Sequence, residues 1–293
     1  MGIKSSSRFH EVRKELQMAV NVDLKELLEA GAHFGHKTSR WHPQMAQYIH
    51  SKRGDTHIID LVKTQEKIEE AVEATTKIAS QGKQILFVGT KRQAEDIIKL
   101  NAEKIKMPYV TGRWLGGMLT NFQTMKTRIK RLKDLEEKMA SGELAQRYSK
   151  LEVLRYQEEI DKLNEKFGGI KDMTGSPGLV YVTDVVKDHI AVTEAKVLGI
   201  PVIAIVDTNG DPSGIEYPIP ANDDAIKTLE LITGYIVTAI EEGRSKIKVP
   251  AKTAPKKTTS DTDQEETGET KDDRPDIAKK KAEIKKDKEE VAK

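Results

Sequence analysis

Three short apolar runs constrain this chain more than any other feature: Gln84 to Val88, Leu179 to Thr183 and Val202 to Val206. None alternates polar with apolar residues, so each reads as a strand covered on both faces. Around them the apolar spacing turns helical. Asp23 with Glu26 reads as a capping box ahead of the stripe Leu24, Leu27 and Leu28, with Gly31 as the stop. Thr56 to Asp60 is a further strand candidate, and a brief one lies near Tyr109. Helices are expected over about 62–80, 91–106 and 187–198. Asn222-Asp223-Asp224 opens a last helix that runs to about Glu242 and stops at Gly243. Strands alternating with helices predict an α/β fold with a parallel sheet covered on both faces.

The stretch 120–167 departs from this alternation. Phe122, Met125, Ile129, Leu132, Leu135 and Met139 form one helical stripe. After Ser141-Gly142, a second stripe holds Leu144, Tyr148, Leu151, Leu154, Ile160, Leu163 and Phe167. Two helices of about twenty residues, each ~30 Å long, joined by a short turn predict an antiparallel hairpin close to a coiled coil. It is long enough to project from the sheet. Outside the domain expected at 18–244, residues 1–17 read as an N-terminal extension. Residues 245–293 hold no Phe, Trp or Tyr, which predicts a disordered charged tail.

Composition excludes several classes of function. With no cysteine, the chain has no disulfide scaffold, thiolate zinc site or cysteine nucleophile. No apolar run approaches the ~18 residues that cross a bilayer, and the first residues lack a secretory apolar core. A cytoplasmic protein without a membrane partner is expected. The formal charge of +2 is unevenly spread. Residues 244–293 hold 15 of the 49 Lys and Arg and 12 of the 47 Asp and Glu, leaving 34 against 35 before them. Any attraction to nucleic acid must therefore come from local clusters.

Phosphate-binding fingerprints are missing. Val88-Gly-Thr-Lys-Arg92 has one glycine and no P-loop order, so it reads first as a strand-to-helix turn with two exposed cations. Contact of Lys91 and Arg92 with an anion or RNA phosphate is the second reading. Asp207 to Asp211 begins like a calcium loop, but Pro212 and Pro218 occupy its sixth and twelfth positions. Five of seven histidines fall between His33 and His57. His33 and His36 are the positions a metal would take, yet no metal and no cofactor are expected. No nucleophile elbow or acid–base pair stands out, so no enzyme is expected; the alternative is a nucleotide- or sugar-phosphate-binding enzyme on the same sheet.

The basic residues are more informative. Arg113, Lys126, Arg128, Lys130, Arg131 and Lys133 span a stretch without a single acid. A solvated helix face is the bland explanation; the missing counter-charges favour a phosphate-binding ridge. Arg113-Trp114 and Arg40-Trp41 set aromatic rings beside guanidinium groups, which suits RNA.

Long stretches carry a resemblance: AGAHFGHKTSRWHPQM (30–45), ILFVGTKRQA (85–94), GRWLGGMLTNFQT (112–124), GGIKDM (168–173), GIPVIAIVDTNGDPSG (199–214) and IPANDDAIK (219–227). Together they resemble the bacterial S-two family of small ribosomal subunit proteins, in order from about Val20 to Arg244. The resemblance implies a Rossmann-like parallel sheet flanked by helices, with the 120–167 hairpin as a protruding coiled coil. It implies a structural, ribosome-bound role in translation: binding small-subunit ribosomal RNA between head and body and docking neighbouring small-subunit proteins, including the large S-one protein where it exists. The RNA-binding residues expected are then His33, His36, Lys37, Arg40, Trp41, Lys52, Arg53, Lys91, Arg92, Arg113, Trp114, Lys126, Arg128, Lys130, Arg131 and Lys133. Where the family reads Leu-Pro-Asp before the fourth strand, this chain has Ser176-Pro177-Gly178.

Overall fold

The computed structural model describes residues 22–246. The expected extension 1–17 and the expected tail beyond Lys246 lie outside the described residues. Helix α1 (Leu24–Ala30) begins where the Asp23 carboxylate accepts the Lys25 N–H at 2.8 Å, and Gly31 ends it at φ 80°. Three strands then form a small antiparallel sheet in the order β1-β3-β2: β1 (Phe34–Lys37), β2 (Ile49–Arg53) and β3 (Thr56–Ile59). Only β3 was expected, because Phe-Gly-His-Lys and Ile-His-Ser-Lys-Arg carry no apolar run.

The main body runs α2 (Leu61–Ser80), β4 (Ile85–Val88), α3 (Arg92–Lys104), β5 (Tyr109–Val110), α4 (Phe122–Ala140), α5 (Glu143–Arg147) and α6 (Lys150–Phe167). It continues through β6 (Leu179–Val182), α7 (His189–Val197), β7 (Val202–Val206), β8 (Tyr217–Pro220) and α8 (Ile226–Ser245). The five strands from β4 on form one sheet in the order β5-β4-β6-β7-β8, every neighbouring pair parallel. Successive strand residues point to opposite faces. Ile85, Phe87, Tyr181 and Ile203 therefore meet Ile68 of α2, Ile98 of α3 and Ile236 of α8. Leu86, Val88, Val180 and Ala204 belong to a second cluster that takes in Ala195 of α7 and extends to Leu132 of α4 and Ile160 of α6. Both faces are covered, as the uninterrupted apolar runs require. The one strand of this sheet not expected, β8, contains Pro218 and Pro220 and lies at the sheet edge, where a missing N–H is tolerated.

Gly243 does not stop the last helix, which continues to Ser245. A Cβ there would lie 2.6 Å from the Ala79 Cβ and from the Thr76 carbonyl oxygen. The glycine is a close-approach residue between α8 and α2.

The stretch expected to be a simple two-helix hairpin holds three helices. A separate helix, α5, intervenes, and Ser149 starts α6 with a reciprocal capping box to Glu152. Arg131 bonds Glu159, and Asn164 bonds Glu136, both pairs being 28 residues apart. Ile129, Leu132 and Leu135 of α4 are buried in the same apolar cluster as Val88 and Val182. Tyr148, Leu151 and Leu154 are the exposed apolar residues of this region.

Candidate nucleic-acid interface

Helix α4 is amphipathic. While Ile129, Leu132 and Leu135 turn inward, Lys126, Arg128 and Lys130 are exposed, and among the described residues no carboxylate lies within 4.0 Å of their charged groups. Arg131 and Lys133 differ. The Arg131 guanidinium donates to both oxygens of Glu159 at 2.7 and 3.0 Å, and the Lys133 ammonium lies 3.2 Å from Asp172. The counter-charges missing from the local sequence are supplied from α6 and the segment after it. Arg113 is exposed just ahead of the helix, whereas Trp114 is only 6% exposed and its Nε1 donates to Glu194.

A second basic surface forms on the small sheet. Lys37 of β1 and Arg53 of β2 both pair with Thr56 of β3, which sets the two cations on either side of one residue. Lys52 pairs with His57, whose ring centroid is 5.3 Å from that of Trp41. Lys37, Arg40, Lys52 and Arg53 are exposed, and Trp41 is 40% exposed. Gly35 allows this sheet to press on the β7 loop. A Cβ there would meet the Thr208 methyl at 2.5 Å, and the His36 N–H donates instead to Thr208 Oγ1 at 2.8 Å.

The crevice between β4 and β6 is the switch point of the five-stranded order, where doubly wound sheets commonly bind ligands. Here the chain fills it with its own groups. Asp188 accepts the Thr90 N–H and hydroxyl at 3.3 and 2.8 Å, and Lys187 Nζ donates to the Thr90 carbonyl at 2.6 Å. Arg92 is exposed, but Lys91 is not the free cation expected. Its Nζ lies 2.6 Å from Asp224, 2.9 Å from Asp223 and 3.7 Å from Asp184. Beside it, His36 Nδ1 lies 3.0 Å from Asp207 Oδ2. His36, Asp207 and Asp223 bring one ligand atom each within 4.8 Å of one another, a donor set that suits a divalent cation. The set includes His36 but not His33, whose Nδ1 is buried without a hydrogen-bond partner among the described residues.

A family model described as ribosomal protein S2 matches residues 27–243. The chain belongs to the ribosomal protein S2 family. It is 52% identical over 227 residues to the small ribosomal subunit protein uS2 of Fusobacterium nucleatum subsp. nucleatum, a match covering 78% of this chain and 92% of that protein. Its identity to the uS2 protein of Salinibacter ruber is 50% over 222 residues, 76% of this chain and 69% of the other. Against that of Corynebacterium urealyticum it is 50% over 227 residues, covering 78% and 84%. The family is one of structural ribosomal proteins, which gives this member a part in translation and places it among ribosomal proteins of the small subunit. Among the described residues no helix is long and apolar enough to cross a membrane.

In this S2-family chain the aspartates around Lys91 outnumber their cations, which sets a pH dependence. Burial and the neighbouring Asp184 and Asp207 push the Asp223 carboxyl up to about 7. Hydrogen bonding to Asp207 raises His36 despite its partial burial. Both groups bind protons more tightly folded than unfolded, so the Asp223 contribution is lost as pH rises from about 4 through 7 and that of His36 only above about 6.5. In chelator-treated buffer, Asp223→Asn is expected to flatten that loss. Its stability relative to wild type should improve by about 1–2 kcal/mol between pH 5 and 8, because part of the roughly 4 kcal/mol that a three-unit displacement represents falls below pH 5 and the neighbouring Asp184 and Asp207 share the titration. Urea unfolding at the two pH values checks this; parallel losses in both proteins would contradict it.

Proposed function

We propose that this chain is a non-catalytic constituent of the small ribosomal subunit that binds small-subunit ribosomal RNA between head and body. Two basic surfaces make the contact: the α4 ridge with Arg113, Lys126, Arg128 and Lys130, and the small sheet with Lys37, Arg40, Trp41, Lys52 and Arg53. Arg92 adds a further exposed cation. The observation that carries the reading is the row of exposed cations Lys126, Arg128 and Lys130 on α4, with no carboxylate within 4.0 Å among the described residues, on a helix whose other side is buried in the core. Anchored ammonium and guanidinium groups can displace the counterions of an RNA backbone without first giving up an internal ion pair. The parallel sheet then serves as a scaffold, and neighbouring small-subunit proteins, with the large S-one protein where present, dock on the particle-bound chain in the cytoplasm.

Sucrose-gradient sedimentation of a lysate at low magnesium tests the reading, with fractions probed for this chain before and after a salt wash. Co-migration with the small subunit, lost progressively as salt rises, is expected. A chain that stayed at the top of the gradient at low salt would overturn the proposal.

A further inference from the structure

Glu194 sits on α7, a helix that contributes no cation to either basic surface. Its side chain is nearly buried, at 7% exposure, and no cation pairs with it among the described residues. Five donors converge on it instead. Oε1 accepts from Trp114 Nε1 at 3.1 Å and from the Gly117 N–H at 2.7 Å. Oε2 accepts from the N–H groups of Leu119 and Thr120 at 3.0 Å each, and from the Thr120 hydroxyl at 3.1 Å. An ionised carboxylate offers only acceptors, and this one meets only donors. Burial alone would raise its pKa, but the backbone N–H groups and the Trp114 indole outweigh burial and hold the carboxyl below its ordinary range.

All the donors belong to residues 114–120, the loop between exposed Arg113 and Asn121, the residue that precedes α4. Asn121 gives α4 no side-chain cap, so the start of the basic helix is fixed by the loop that leads into it. We infer that Glu194 is a positioning residue for RNA binding, latching the 114–120 loop so that Arg113 and the first cations of α4 face the phosphate backbone in a fixed register. This rests on the RNA-binding reading above.

Glu194→Gln keeps the shape but turns one acceptor oxygen into an NH2 group that faces N–H donors. Binding to an in vitro transcript of full-length small-subunit ribosomal RNA is measured against salt, well below the melting temperatures of both proteins. The variant is expected to bind on the order of tenfold more weakly at moderate salt. Its plot of log affinity against log salt should be shallower by about one to two phosphate contacts. No ridge charge is altered, so a change in slope reports misplacement rather than lost cations. Amide exchange should accelerate at Gly117, Leu119 and Thr120 but not at Phe87 or Tyr181 in the sheet. A wild-type slope, or unchanged exchange at the three amides, overturns the latch. If wild type itself shows no salt-dependent binding, the RNA reading falls, and the latch as an RNA-positioning device falls with it. Should the glutamine variant not fold, Thr120→Val removes one donor and leaves the carboxylate; faster exchange at Leu119 and a smaller loss of affinity are expected, and wild-type behaviour in both overturns the inference.

Discussion

Replacing Lys126, Arg128 and Lys130 together with Ala is expected to weaken binding to small-subunit ribosomal RNA by about 100-fold at 0.15 M salt, with the fold intact. Each phosphate contact contributes roughly 0.7–0.9 to the slope of log affinity against log salt, so three lost contacts lower it by about two to three. At that salt each contact multiplies affinity by about four to five, which gives the hundredfold figure. The three side chains are exposed and bridge to no carboxylate among the described residues, so their removal leaves no buried charge unpaired. Arg131→Ala provides the contrast. That guanidinium is already held by Glu159, and its loss is expected to change RNA affinity less than any one of the other three. The stability cost should not exceed about 1 kcal/mol, as for an exposed pair. Equal effects for Arg131 and Arg128 would mean that charge count, not pairing, governs the ridge; an unchanged slope in the triple variant would remove the ridge from the interface.

How much of this was legible in the sequence depended on whether the deciding contact was local. The buried strands β4, β6 and β7 announced themselves, because covering both faces demands apolar residues at consecutive positions. Edge strand β8 did not, since Tyr-Pro-Ile-Pro reads as a breaker until one sees that its partner is on one side only. Gly243 looked like a stop because the residue that needs its missing side chain, Thr76, is far away in sequence. The same limit governs the site. Arg131 and Arg128 are indistinguishable by neighbours in the chain, and Glu159 alone separates them. Lys91 looked free while its aspartates waited at the ends of β6 and beyond β8. Glu194 left one faint signal: it falls on the inward side of α7 with Ala191 and Ala195, where a charge needs a reason to be.

The second large effect concerns where the core ends. Leu132 is fully buried on α4, in one continuous cluster with Leu86 and Val88 of β4 and Val180 and Val182 of β6. Leu132→Ala removes apolar contact at a fully buried position and leaves a cavity that the surrounding cluster closes only in part. The expected cost is about 2–5 kcal/mol, against which the better helix propensity of Ala returns only a few tenths. For a domain of this size that corresponds to a fall in melting temperature of roughly 5–15 °C. Leu151→Ala on α6, where the leucine is 61% exposed, is expected to change stability by no more than about 0.5 kcal/mol. The form of the transition matters as much as its midpoint. With α4 packed into the body, wild type and Leu132→Ala should each unfold in one step, with amide protection on α4 falling together with that on β4 and β6. An independently projecting pair of helices would instead lose α4 protection first, at unchanged stability of the sheet. That result would detach the basic ridge from its scaffold, and with it the reason its cations are held in place.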